Sequence, residues 1–114
     1  MYNYFILIGR VARDVEIRMT SDGRHVLNVT IAVQRPFRNS NGDYETDFFT
    51  ITLWESMAEV AAENFKKGST IGIKGRLSQK KVTLDNGVAV NTAELVGERI
   101  VFFSNTNSDT EVEG

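Results

Sequence analysis

The run VLNVTIAVQR at 26–35 alternates without a break, with Leu27, Val29, Ile31 and Val33 apolar and Asn28, Thr30, Ala32 and Gln34 between them small or polar. Side chains leave a strand on opposite faces in turn, so this pattern predicts a half-buried strand. YFILIGRVA at 4–12 is apolar on both faces, which predicts a strand covered on two sides with a bend or bulge at Gly9. SDG at 21–23 reads as the turn between them. In DFFTITLW at 47–54, alternation separates Phe49, Ile51 and Leu53 from Phe48, Thr50, Thr52 and Trp54. The first set is wholly apolar and belongs to a core. FRNSNGDYE at 37–45 follows Pro36 and predicts an exposed loop with a turn at Asn41-Gly42.

At 55–67 the period changes, and Met57, Val60, Ala61 and Phe65 share one helical face, with acids early and Lys66, Lys67 and Gly68 as a stop. One short helix is expected. STIGIKGRLSQKKV at 69–82 and VAVNTAELVGERIVFF at 88–103 read as two strands joined by a hairpin through LDNG. Glycines at 72, 75 and 97 suit the sharp coiling of a small closed barrel. Residues 105–114 have almost nothing to bury and are expected to form a disordered acidic tail after a single domain over 1–104. The order is strand, strand, strand, helix, strand, strand. That is the order of an all-β OB-fold, a five-stranded Greek-key barrel with one short α-helix between its third and fourth strands.

Length and charge add limits. A chain of 114 residues has room for one modest core. Without cysteine there is neither a disulfide framework nor a thiolate metal site, which fits a cytoplasmic setting. The N-terminal apolar run lacks a basic stretch before it and a small-residue cleavage pattern after it, so no signal peptide is expected. No segment reaches the roughly 18 consecutive apolar residues of a membrane span. The formal charge of -2 is silent about polyanions, because three acids, Asp109, Glu111 and Glu113, lie in the tail and the remainder holds 13 bases against 12 acids. Where the charges sit matters more than their sum.

Catalysis has little to build on. A nucleophile needs a neighbouring base, and the one histidine, His25, sits at a turn-to-strand junction that reads as solvated. No close cluster of His, Cys or carboxylates offers a metal site, and the glycines form no phosphate loop. Phe48 and Trp54, by contrast, stand on a face otherwise made of Thr50 and Thr52. Such rings are either capped by a loop or a neighbouring subunit, or they form a platform on which unpaired bases stack without regard to sequence. Cations fall near these segments: Arg35 and Arg38 around Phe37, Lys66 and Lys67 after the helix, and Lys74, Arg76, Lys80 and Lys81 along the fourth strand.

Taken together, ILIGRVARDVEIR (6–18), VTIAVQR (29–35), NGDYETDFFTITLW (41–54), AEVAAENFKKGS (58–69) and IKGRL (73–77) resemble the bacterial single-stranded DNA-binding protein family over nearly all of 2–103. The resemblance implies an OB-fold protomer, usual assembly into a homotetramer, and sequence-tolerant wrapping of single-stranded DNA in replication, repair or recombination. It implies no catalytic residue and no cofactor. Base-stacking positions coincide with Phe37, Phe48 and Trp54, and phosphate-contact positions with Arg18, Arg38, Lys67, Lys80 and Lys81. The first strand, from Tyr2 and Tyr4 to Ile6 and Ile8, corresponds to a dimer-forming edge, and Phe49 is open to either a core or an interface role. Members commonly carry aromatics where this chain has Val82 and Asn91, so a shorter or weaker wrapping mode is expected. The ending SDTEVEG lacks the long linker and acidic-hydrophobic tip that recruits partner enzymes. It reads as a truncation or as a short-form paralogue of the phage, mobile-element or competence type, and the latter would coat DNA with little recruitment of repair enzymes. The competing reading is an OB-fold accessory factor, a primosome or recombination mediator, that uses the same face for protein contacts.

Overall fold

The structure is a computed structural model that describes residues 1–103 and, for the backbone only, 109–113. Its elements are β1 (Phe5–Val11), β2 (Ile17–Met19), β3 (His25–Arg38), β4 (Tyr44–Trp54), α1 (Glu55–Asn64), β5 (Thr70–Thr83), β6 (Ala89–Phe103) and β7 (Asp109–Glu113). The sheet runs β1-β5-β6-β4-β3-β2, and a further pairing of β1 with β3 closes it. The closed ring is therefore β1, β5, β6, β4 and β3, with α1 after the third of these in chain order, as an OB-fold requires. β4 and β6 meet in parallel at Ile51↔Leu95 and Thr52↔Val96, while every other ladder is antiparallel.

Alternation decides the core. Leu27, Val29 and Ile31 of β3, Ile51 and Leu53 of β4, and Ile71 and Ile73 of β5 all turn inward and are buried. The helix closes one end of the barrel with Met57, Ala58, Ala61 and Phe65, and the Phe65 ring meets Phe102 edge-on at 5.4 Å. Ala58 takes the buried place expected of Val60, which is only half-buried. The helix also ends at Asn64, so its last turn holds no basic residue and Lys66 and Lys67 lie in the following turn.

Closure depends on close backbone approach. A Cβ on Gly9 would lie 2.3 Å from the Ala32 carbonyl oxygen, so only glycine lets β1 come this near β3. The ladder of β5 with β6 shifts register between Lys74 and Gly75, a bulge that bends this long hairpin around the barrel. The hairpin turns hold Gly42 and Gly87 at φ 84, where a left-handed residue is required.

Three differences from the pattern-based reading have physical causes. The 37–45 segment is less of a loop than its composition implies: β3 extends to Arg38 and β4 begins at Tyr44, leaving a short turn around Asn39, whose side chain accepts from the Asn41 and Asp43 amides. β2 is a short addition that pairs with the start of β3 and was too brief for periodicity to reveal. Of the tail expected to be disordered over 105–114, 105–108 and 114 lie outside the described residues, while Asp109–Glu113 runs antiparallel to β6 through main-chain pairing that needs no apolar side chain.

Candidate nucleic-acid interface

The outer face of β4 meets that of β3 in register, with Phe48 opposite Ala32, Thr50 opposite Thr30, Thr52 opposite Asn28 and Trp54 opposite Val26. β2 extends the face by setting Arg18 opposite Val26. The β5–β6 hairpin rises beside it and contributes Lys80, Val82, Thr92 and Glu94 to a groove of about 520 Å³ whose floor and walls include Arg18, Thr50, Thr52 and Trp54. One wall is aromatic and hydroxyl-bearing, and the other carries charge.

Phe48 is 64% exposed and Phe37 is 61% exposed, whereas Trp54 is half-buried. Neither Phe48 nor Trp54 is sealed in the core. Along β4 they are separated by six positions, or roughly 20 Å of extended chain. The hydroxyls differ in availability. Thr50 is exposed and shares a hydrogen bond of 3.0 Å with Thr30, but Thr52 is buried and donates to Asn28 Oδ1, so it forms floor and offers no free hydroxyl.

The cations separate into distinct groups. Arg18 and Lys80 line the groove, with Lys80 Nζ 3.8 Å from Glu94. Arg38 lies on the β3–β4 hairpin over the Tyr44 ring at 5.2 Å. Arg35, expected to face phosphate, is instead engaged by acids: Nε and Nη2 each donate to Asp47 at 3.0 Å, and Nη1 reaches Glu45. Asp47, first of all by hydrogen bonding, raises the affinity of Arg35 for its proton, and the same bond holds the Asp47 carboxyl below its ordinary range. That guanidinium is a strut across the hairpin.

Lys74 leaves the site altogether. It sits opposite Ile6, and its Nζ lies 5.6 Å from the centre of the Tyr4 ring. Arg76 stands beside Glu98 at 3.9 Å, outside the groove lining. Lys81 is exposed opposite Asn91, and alternation puts both on the face of the hairpin away from Lys80 and Val82. Lys67 is exposed in the turn after α1, where the Gly68 amide donates to the Val11 carbonyl at the end of β1.

Other members of the groove were not singled out from sequence. Asn28 was already on the polar side of the alternating 26–35 run and needed only the β3–β4 register to be found. Thr20, Thr92 and Glu94 join through strand pairing that no local pattern reveals. His25, read as solvated, in fact bonds Glu59 through Nδ1 at 2.8 Å and donates its backbone N–H to Glu55 Oε1.

A second surface lies on the outside of β1. Tyr2, Tyr4, Ile6 and Ile8 are all exposed in the protomer, so the cover expected over both faces of this strand is not supplied by the described residues. Phe49, by contrast, is half-buried and packs against the core cluster, as alternation placed it.

Residues 2–103 match the single-strand binding protein family. The single-stranded DNA-binding protein B of Bacillus subtilis is 37% identical over 102 residues, covering 90% of this chain and 90% of that protein. The single-stranded DNA-binding protein of Halalkalibacterium halodurans is also 37% identical, over 97% of this chain and 66% of its own length. That of Lactiplantibacillus plantarum is 42% identical over 99% of this chain and 55% of its own length. The chain thus spans between about half and nine tenths of these relatives. Barrel, exposed aromatic face and matching residues agree, and the chain belongs to the single-strand binding protein family.

Proposed function

We propose that this protein binds single-stranded DNA with little preference for sequence and performs no catalysis. The observation that carries this reading is the pair of rings on the outer face of β4, Phe48 and Trp54, flanking a groove that also holds Arg18 and Lys80. Bases stack on Trp54 and Phe48, and Phe37 continues the path onto the β3–β4 hairpin. Stacking on flat rings does not discriminate among bases, which is why it serves a protein that must coat any sequence. Phosphates meet Arg18 and Lys80 in the groove and Arg38 at the hairpin. Lys67, Lys81 and Arg76 supply cations along a longer path around the protomer, in keeping with wrapped DNA.

The exposed outer side of β1 together with the residues that lead into it, from Tyr2 to Ile8, joins copies of the chain into a dimer and then a homotetramer. Apolar side chains this open seek a partner, and a second copy offers the same surface. The protein acts on DNA exposed in replication, repair or recombination, in the cytoplasm. Among the described residues no helix is long and apolar enough to cross a membrane.

Titration with oligo(dT) at several salt concentrations, followed by the fluorescence of the single indole, tests the reading. Stacking is expected to quench Trp54, and log affinity is expected to fall with log salt at about -0.7 per contacted phosphate. A surface used only for protein contacts would give neither response.

A further inference from the structure

We propose that Arg24 is a positioning residue of the DNA site, whose guanidinium backs one face of the Trp54 indole so that the opposite face stays presented to the groove. The inference rests on the function proposed above and extends it to a turn that no stacking or phosphate role has included. Its carbon Cζ lies 4.3 Å from the centre of the Trp54 ring, well within the range of a cation–π contact. Trp54 lines the groove, and Arg24 does not. The cation therefore contacts the indole from outside the groove lining and does not occupy the space where a base would stack.

Arg24 is itself held. Its Nε donates to Asp22 Oδ2 at 3.0 Å, and the other oxygen of that carboxylate accepts from the Thr20 hydroxyl. The Arg24 amide donates to Thr20 Oγ1 at 3.1 Å, and Gly23 at φ 85 completes the tight turn. The next residues grip the same point of the chain: the His25 amide donates to Glu55 Oε1 at 2.8 Å, and Val26 pairs with Trp54 in the ladder. Glu55 sits at φ 54, an uncommon conformation for a residue with a side chain, at the very step where β4 turns into α1. Three consecutive residues thus restrain Trp54 by its ring, its neighbour and its backbone.

A restrained ring loses less freedom when a base lands on it, so the benefit is preorganisation. Arg24 stands outside the groove that Arg18 and Lys80 line, so its guanidinium adds affinity through the indole and not as a phosphate contact.

The test compares wild type with Arg24→Met and Arg24→Lys. Three quantities are read: acrylamide quenching of the free protein, affinity for labelled oligo(dT) by anisotropy, and the slope of log affinity against log salt. Arg24→Met is expected to make the indole more accessible to acrylamide and to weaken binding about two- to fivefold, with an unchanged salt slope. Arg24→Lys, which keeps the charge and loses the plane, falls between. Asp22→Asn, which frees the guanidinium without removing it, moves both readings in the same direction by less. Thermal unfolding at the wild-type temperature verifies that each variant is folded. Wild-type or tighter binding by Arg24→Met overturns the proposal, and so does a slope smaller by about 0.7 with unaltered acrylamide quenching, which would mark Arg24 as a phosphate ligand. Wild-type protein that neither binds nor is quenched by oligo(dT) overturns the underlying function as well, whereas normal wild-type binding with an indifferent Arg24→Met overturns this inference alone.

Discussion

A cation's role is decided by what lies within reach of it, and Arg35 lies within reach of Asp47 and Glu45. Its bidentate grip on Asp47 spans β3 and β4 just where the hairpin carrying Phe37 and Arg38 leaves the barrel. The Asp47 carboxyl is held below its ordinary range by that bond, so the bond's contribution is complete above the ordinary carboxylate value and is lost as acid protonates Asp47 in the fold. Urea midpoints of wild type and Asp47→Asn are therefore expected to differ at neutral pH and to converge only below the ordinary carboxylate range. The gap is expected to be small, because the pair is exposed and screened. Trp54 is the opposite case, a half-buried ring that lines the groove with part of its surface open. Trp54→Ala is expected to weaken oligo(dT) binding by about 1–3 kcal/mol, measured by anisotropy of a labelled oligonucleotide. Equal affinity would remove the indole from the site. Phe48 and Trp54 were legible from alternation alone, because which face a side chain takes within one strand is a local matter. The capture of Arg35 was not, since Asp47 is brought to it by the pairing of two strands.

Among the elements, β1 and the β5–β6 hairpin do the most to shape the site. β1 closes the barrel by only two pairs with β3, Arg10↔Ala32 and Val11↔Ile31, and Gly9 stands immediately before them. Gly9→Ala forces a Cβ against the Ala32 carbonyl and is expected to cost on the order of 1–3 kcal/mol of stability, read from urea unfolding; an unchanged midpoint would mean that the closure can relax. The hairpin forms one wall of the groove, and Val82 is the wall position where the family resemblance implies an aromatic. Val82→Trp is expected to tighten binding and lengthen the site covered on poly(dT), with no gain if the hairpin stays out of the DNA path. Asn91, the other departure, faces away from the groove with Lys81, so an aromatic there is expected to do less. The core strands and the helix were visible in their periods of two and 3.6. β2 was not, because Ile17–Met19 is too short to display any period.

For the whole molecule, the unresolved demand of the fold is the outside of β1. Ile6 is 61% exposed and Ile8 is 55% exposed, values that fit the proposed role of this strand as a contact between copies. The double substitution Ile6→Glu and Ile8→Glu is expected to lower the mass seen by light scattering to that of a protomer while leaving the fold intact. An undiminished mass would locate assembly elsewhere. By itself the order of residues determined which side of each long strand is apolar, where the turns fall, and that rings and hydroxyls share one outer face. Those properties repeat along the chain at the spacing of the backbone, so neighbours suffice to declare them. Only the tertiary structure decided that Thr52 is floor, that Arg35 is a strut, that Lys74 belongs to the β1 surface, and that Arg24 reaches Trp54. Each of those outcomes depends on residues distant in sequence meeting at a particular register, and register emerges only when the barrel closes.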